Sequence, residues 1–191
     1  MRSIATFAAI GLLLSGCSTV SSLGDALDSP PPNAGPCPSA FALYDAHRLV
    51  QFAPGTEELF ANVGFTGEIL NVRSNCSYYD DRPILANLEI EMGFGRGPAA
   101  GGLEHTYEYF VAVTRSNLGI IEKEIYPLRV RFDSDEDRVF VTETIDAILI
   151  PRANADTAGT NFEILVGFEL SDEELAYNRS GRRFRVIAGQ E

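Results

Sequence analysis

Between Ile84 and Phe94 every second residue is apolar. Ile84, Ala86, Leu88, Ile90, Met92 and Phe94 share one face, and Asn87, Glu89 and Glu91 share the other. Only an extended chain keeps a period of two on one side, since a helix would scatter the same residues around its axis. The stretch therefore reads as a half-buried strand, and a strand of this length needs partners on both edges and a second layer over its apolar face.

The rest of the chain from Cys37 onward supplies those partners. Thr106 to Thr114 carries Tyr107, Tyr109, Val111 and Val113 on one face. In Ile121 to Phe132, Leu128, Val130 and Phe132 alternate with Arg129 and Arg131. Pro127 confines that strand to an edge or a bulge, because proline has no N–H to give to a ladder. Arg138 to Ile150, Phe162 to Leu170, Phe65 to Cys76 and Arg48 to Phe52 bring the expected count to about seven. Ser116 to Gly119 and Asp133 to Asp137 have hairpin length, whereas Gly93 to Gly102 and Pro151 to Asn161 read as longer loops.

Helix is expected in two short places. Thr56 is placed to cap a turn over residues 57–62. Ser171-Asp172-Glu173-Glu174 has the spacing of a capping box, opening a short helix to about Asn178. No stretch between strands has helical periodicity over the length a parallel crossover needs. The expected fold is therefore an all-β, immunoglobulin-like antiparallel sandwich spanning 37–191, with a small β-barrel as the alternative. The Cys-Trp-Cys pin of antibody domains is absent, as the chain contains no Trp.

The N-terminal segment has a different character. Arg2 precedes an apolar run from Ile4 to Leu14 that has the length of a signal-peptide core and is short for a bilayer span. It ends in Leu14-Ser15-Gly16-Cys17, which resembles the bacterial lipobox: an aliphatic residue, two small residues and a cysteine. The resemblance implies removal of residues 1–16, acylation of Cys17 and a membrane anchor made by lipid. Ser18, in place of the aspartate that holds enteric lipoproteins at the inner membrane, implies the periplasmic side of the outer membrane. Residues 18–36 are rich in Ser, Pro, Gly and Asn, include Pro30-Pro31-Pro32, and read as an extended tether.

Charge narrows the partners. Of 15 basic residues one, Arg2, lies in the removed segment, while all 27 acidic residues follow Cys17, so the mature formal charge is 14 − 27 = −13. A chain this acidic has no electrostatic grip on nucleic acid, and anionic lipid repels it. Its expected partners are the membrane, through the N-terminal lipid, and a protein of the envelope.

Once Cys17 is acylated, Cys37 and Cys76 remain, an even number in an oxidising compartment, and they are expected to form a disulfide. Asp133, Asp135 and Asp137 have the alternate spacing of calcium loops. The rest of that pattern fails, with Arg138 where glycine belongs and Thr144 where glutamate belongs, so an acidic turn is the plainer reading of this candidate metal site. Gly93-Phe94-Gly95-Arg96-Gly97 precedes no helix and reads as a loop or bulge, not a phosphate cradle. His47 and His105 stand in separate segments with no motif around them, and no cofactor motif is present. Tyr78, Tyr79, Tyr107 and Tyr109 suit a recognition face. Arg179, Arg182, Arg183 and Arg185 form a basic C-terminal run, read as a solvated tail or edge strand, or as a contact for an acidic partner.

Beyond the lipobox, the stretches Gly67 to Gly97, with Asn75-Cys76 and Gly95-Arg96-Gly97-Pro98, and Phe162 to Asn178 resemble envelope lipoproteins of alphaproteobacteria. The resemblance implies no particular activity. The expectation is a non-enzymatic binding or structural module. A lipoprotein that binds a small molecule or lipid is the second reading, and a periplasmic hydrolase the third.

Overall fold

The computed structural model describes residues 35–115 and 118–181. They form a β-sandwich of two four-stranded sheets. In chain order the strands are β1 (Ser39–Ala42), β2 (Arg48–Phe52), β3 (Val63–Ser77), β4 (Ile84–Arg96), β5 (Glu104–Arg115), β6 (Gly119–Arg131), β7 (Arg138–Ile150) and β8 (Phe162–Phe168). One sheet has the order β1-β8-β5-β6 and the other β2-β3-β4-β7. The sheets share no ladder, so the molecule is a sandwich and not the barrel that stood as the alternative.

The alternation at Ile84–Phe94 does what its period demands. All six apolar residues of the stripe are buried, against Tyr107, Tyr109, Val111 and Val113 of β5 and Phe162, Ile164, Val166 and Phe168 of β8. Full burial of each large member is worth roughly 1.5–3 kcal/mol relative to exposure. β8 and β5 are the inner strands of one sheet and β3 and β4 those of the other; the buried stripes of β4, β5 and β8 place the core between the two sheets. Pro127 lies on β6, at the open edge of its sheet, where no outer ladder needs its missing N–H.

Three features differ from the expectations. β1 is an eighth strand, and it pairs in parallel with β8 over Ser39↔Glu163 to Ala42↔Val166. Its four residues are too few to show a period, and the pairing is made by tertiary contact. The Asp133–Asp137 turn is not a hairpin: β6 pairs with β5, whereas β7 pairs with β4 in the other sheet. The Arg96 N–H donates to the Asp137 carbonyl (2.8 Å), so β4 captures the start of β7 and draws the chain across the sandwich. Residues 93–96 continue β4 rather than opening a loop.

The helix signals divide. Ser171 and Glu174 form the reciprocal capping box, with the Glu174 N–H donating to Ser171 Oγ (3.2 Å) and the Ser171 N–H to Glu174 Oε2 (2.8 Å), at the start of α1 (Asp172–Arg179). Thr56 caps nothing: its hydroxyl donates back to the Ala53 carbonyl (2.7 Å), and only Phe60–Asn62 forms a single 3₁₀ turn. No described helix is long and apolar enough to cross a membrane.

The N-terminal edge of the sandwich is tied down at several points. The Cys37 and Cys76 sulfurs are at bonding distance, 2.02 Å, with Cα atoms 5.5 Å apart, joining the approach to β1 to the end of β3. Beside them the buried Tyr78 hydroxyl donates to the Pro36 carbonyl (2.5 Å) and accepts from the Gly159 N–H (2.7 Å). Ser74 Oγ donates to the Pro38 carbonyl (2.9 Å).

Candidate functional site

The glycines of β4 shape the outer face of the β2-β3-β4-β7 sheet. Because side chains alternate, Phe94 enters the core while Gly93 and Gly95 face outward and leave the sheet bare. In register, Gly93 lies between Glu68 of β3 and Phe140 of β7, and Gly95 between Thr66 and Arg138. A Cβ on Gly93 would stand 3.2 Å from Phe140 Cε1 and 3.5 Å from Leu70 Cδ1, and one on Gly95 would stand 2.5 Å from Thr66 Oγ1. Phe140 thus lies across the glycine floor with most of its ring in solvent, 73% exposed. Leu70 turns out beside it because the β3–β4 register shifts between Ile69 and Asn71, leaving Leu70 as the extra residue of a bulge.

The opposite wall comes from the segment before β2 and from the end of α1. Tyr44, 83% exposed, stands 5.8 Å from the His47 ring, and His47 Nδ1 is 2.5 Å from the Tyr44 carbonyl. Asn178 Nδ2 donates to the carbonyls of Asp45 and Arg48, both at 2.8 Å, and Arg179 Nε donates to Asp45 Oδ2 (2.8 Å), which fastens α1 to β2. The Tyr177 ring packs edge-on against Phe52 at 5.4 Å. Between the walls Arg48 reaches Glu68 Oε1 through Nε (2.9 Å) and Nη2 (2.7 Å). The result is a groove of about 580 Å³ with a glycine floor, exposed aromatic rims and one half-buried ion pair. Such a surface offers flat apolar contact and directed hydrogen bonds.

The residues singled out in the sequence fall elsewhere, for the most part. Cys17, the 1–16 segment and Arg182, Arg183 and Arg185 lie outside the described residues, while Arg179 holds Asp45. Asp133, Asp135 and Asp137 do not converge, and among the described residues no three His, Cys, Asp or Glu side chains are grouped to hold a metal.

The tyrosine face is corrected as well. Tyr78, Tyr107 and Tyr109 are core residues, and only Tyr79 is exposed. Burial pushes the Tyr107 and Tyr109 hydroxyls well above their ordinary range, and the Tyr107 O–H donates to the Thr66 carbonyl (3.1 Å). Their face of β5 is covered by β4, which strand pattern alone leaves open.

The two histidines lie apart. His47 is on the groove rim. His105 stacks on Phe65 at 4.3 Å and meets Tyr107 edge-on at 4.5 Å. Partial burial lowers its pKa, against a smaller opposing pull from Glu174. The unfolded chain therefore takes up a proton on His105 at a higher pH than the folded one. Stability is full above the ordinary histidine value near 6.5 and falls as pH drops through it toward the lower folded value. Thermal unfolding followed from pH 7.5 to 5 is expected to show this loss, and His105→Gln is expected to flatten the slope. An unchanged slope would show that His105 carries none of it.

Phe140, Leu70, Tyr44, Arg48 and Glu68 carry no sequence motif. The available signal was indirect: glycines at 93, 95 and 97 opposite an unbroken apolar stripe, and Phe140 out of phase with the buried residues of its strand.

No family model matches this chain, and no solved structure matches it. It is similar to aconitate hydratase A of Bacillus subtilis, 30% identical over 160 residues, covering 72% of this chain and 17% of that protein. The chain spans about a sixth of the length of that relative, and the similarity carries no activity across to the groove described above.

Proposed function

We propose that this protein is a lipid-anchored envelope module that binds a protein partner in the glycine-floored groove and catalyses no reaction there. The observation that carries the reading is the groove itself: Phe140 and Tyr44 hold large exposed rings on either side of a bare sheet surface, with the Arg48–Glu68 pair between them. Rings offer contact area at low entropy cost, and a held guanidinium supplies direction. The lipobox ending at Cys17 supports the address, and the 18–36 segment supports a domain that searches while it stays fixed.

The test has two arms. A photo-crosslinking residue at position 140 in cells is expected to trap a discrete protein adduct, and one at exposed Thr144 on the same strand is not. Equal adducts at both positions, or none at 140, would refute the groove as the binding surface. Metabolic labelling with an acyl-chain analogue is expected to mark the wild-type chain and not Cys17→Ser. Labelling of that variant would refute the anchor. The groove volume also lies in the range of small-molecule sites. Under that second reading the protein isolated from envelopes carries a small molecule that Phe140→Ala releases, as native mass spectrometry would detect.

A further inference from the structure

The sandwich has two unlike ends. One strand-to-strand row runs Ser39, Glu163, Thr114, Ile120 across β1, β8, β5 and β6. Residues before Ser39 and residues before Ile120 therefore leave the same end, and the described chain begins there at Gly35. The β5–β6 hairpin turns at that end, where the Leu118 N–H donates to the Arg115 carbonyl (2.9 Å). Its apolar side chains have little protein around them: Leu118 is 73% exposed and Ile120 65%, with Ile121 also exposed. Leu149 and Tyr79, exposed as well, lie at this end on β7 and in the β3–β4 turn.

The surroundings pair aromatic rings with guanidinium groups. The Arg82 guanidinium sits over the Tyr79 ring at 4.9 Å, and Arg152 lies over Tyr78 at 5.3 Å while donating to the Arg82 carbonyl (2.7 Å) and to the Asp80 carbonyl. Tyrosine and arginine place an apolar body against lipid and a polar tip in the headgroup layer. Asp80 and Asp81 share the turn, so the end is not a basic patch, and its contact with lipid is apolar rather than electrostatic.

We propose that this end seats on the bilayer, with Leu118 and Ile120 entering the headgroup region of a lipid surface. The proposal rests on the anchored reading, because seventeen residues (18 to 34) join Cys17 to Gly35, at most about 60 Å of chain, and they deliver this end first. The groove, lined by Gly95 and Arg138, lies toward the opposite end and stays open to a partner.

The experiment uses the full chain, acylated in cells and reconstituted in phosphatidylcholine vesicles carrying a nitroxide on the acyl chains. With Cys17 acylated and Cys37 bonded to Cys76, Leu118→Cys provides a single free thiol for an environment-sensitive fluorophore. Ser134→Cys provides one at the far end. Both positions are exposed, so neither label disturbs the core. The expected result is a blue shift and at least threefold stronger quenching at 118 than at 134. Equal quenching at the two sites in a chain whose Cys17 is acylated by mass overturns the membrane seat alone. An unmodified Cys17 overturns the anchor and the proposal with it. Concentration-dependent energy transfer between 118 labels in detergent, with no lipid-dependent quenching, assigns the tip to a second copy and also overturns it.

Discussion

Breaking the Cys37–Cys76 bond, by Cys37→Ser or by a reductant, is expected to lower the unfolding free energy by roughly 4 kcal/mol. The two residues are 39 apart in sequence, and a cross-link that closes a loop of that length restricts the unfolded chain by about this amount on the chain-entropy view. The native geometry concentrates the loss. β1 holds its sheet by one parallel pairing of four residues, and the bond stands just before it. The midpoint of thermal unfolding is expected to fall by about 10 °C. Calorimetry with and without the bond measures this directly, and a change under 1 kcal/mol would mean that the denatured chain holds the two cysteines together unaided. Amide exchange is expected to accelerate first at β1 and at the Gly159 N–H, whose acceptor is Tyr78.

Gly97→Ala is expected to cost about 3 kcal/mol or more, at the upper end of overpacking penalties. A Cβ at Gly97 would lie 2.2 Å from the Val63 carbonyl oxygen and 2.8 Å from its carbon. Those atoms belong to the backbone and cannot swing away as a side-chain tip would. The same strands are joined there by Gly97 N–H to Gly64 O (2.7 Å) and Ala99 N–H to Val63 O (2.9 Å), so relief by separation breaks two hydrogen bonds. Gly101→Ala is the matched control. It has open space around it and lies four residues further along the same chain, and it is expected to change stability by less than about 0.5 kcal/mol. Urea unfolding of the two variants separates steric conflict from a generic loss of glycine, and equal stabilities would remove the close-approach argument.

The sandwich was legible wherever one face of a strand is buried and the other wet. Arg138–Ile150 and Arg48–Phe52 have the expected bounds, and the Ser171 capping box opens the expected helix, because alternation and capping are local. The partner of each strand was not legible. A five-residue turn after Phe132 is equally short for a hairpin and for a step between sheets, and the difference lies in Arg96 holding Asp137 from a strand far upstream. For the same reason Tyr107 and Tyr109 could be named as facing one way, yet whether that way led to solvent or to β4 needed the second sheet. The groove was less visible still. It is made by side chains that are missing at Gly93 and Gly95, and by a bulge at Leu70 that no pattern in β3 announces.

The disulfide also has a mechanical consequence. Tension applied to the chain upstream of Cys37 does not pass into β1. It crosses to Cys76 at the end of β3, a strand flanked on both sides in its sheet. The intervening residues, about 130 Å of chain if drawn straight, form a closed loop that no pull on the ends can lengthen. A tug on the N-terminal side of the domain is thus resisted by the long β3–β4 ladder rather than by the four-residue β1 pairing, and the first strand can loosen from β8 without letting any slack into the line.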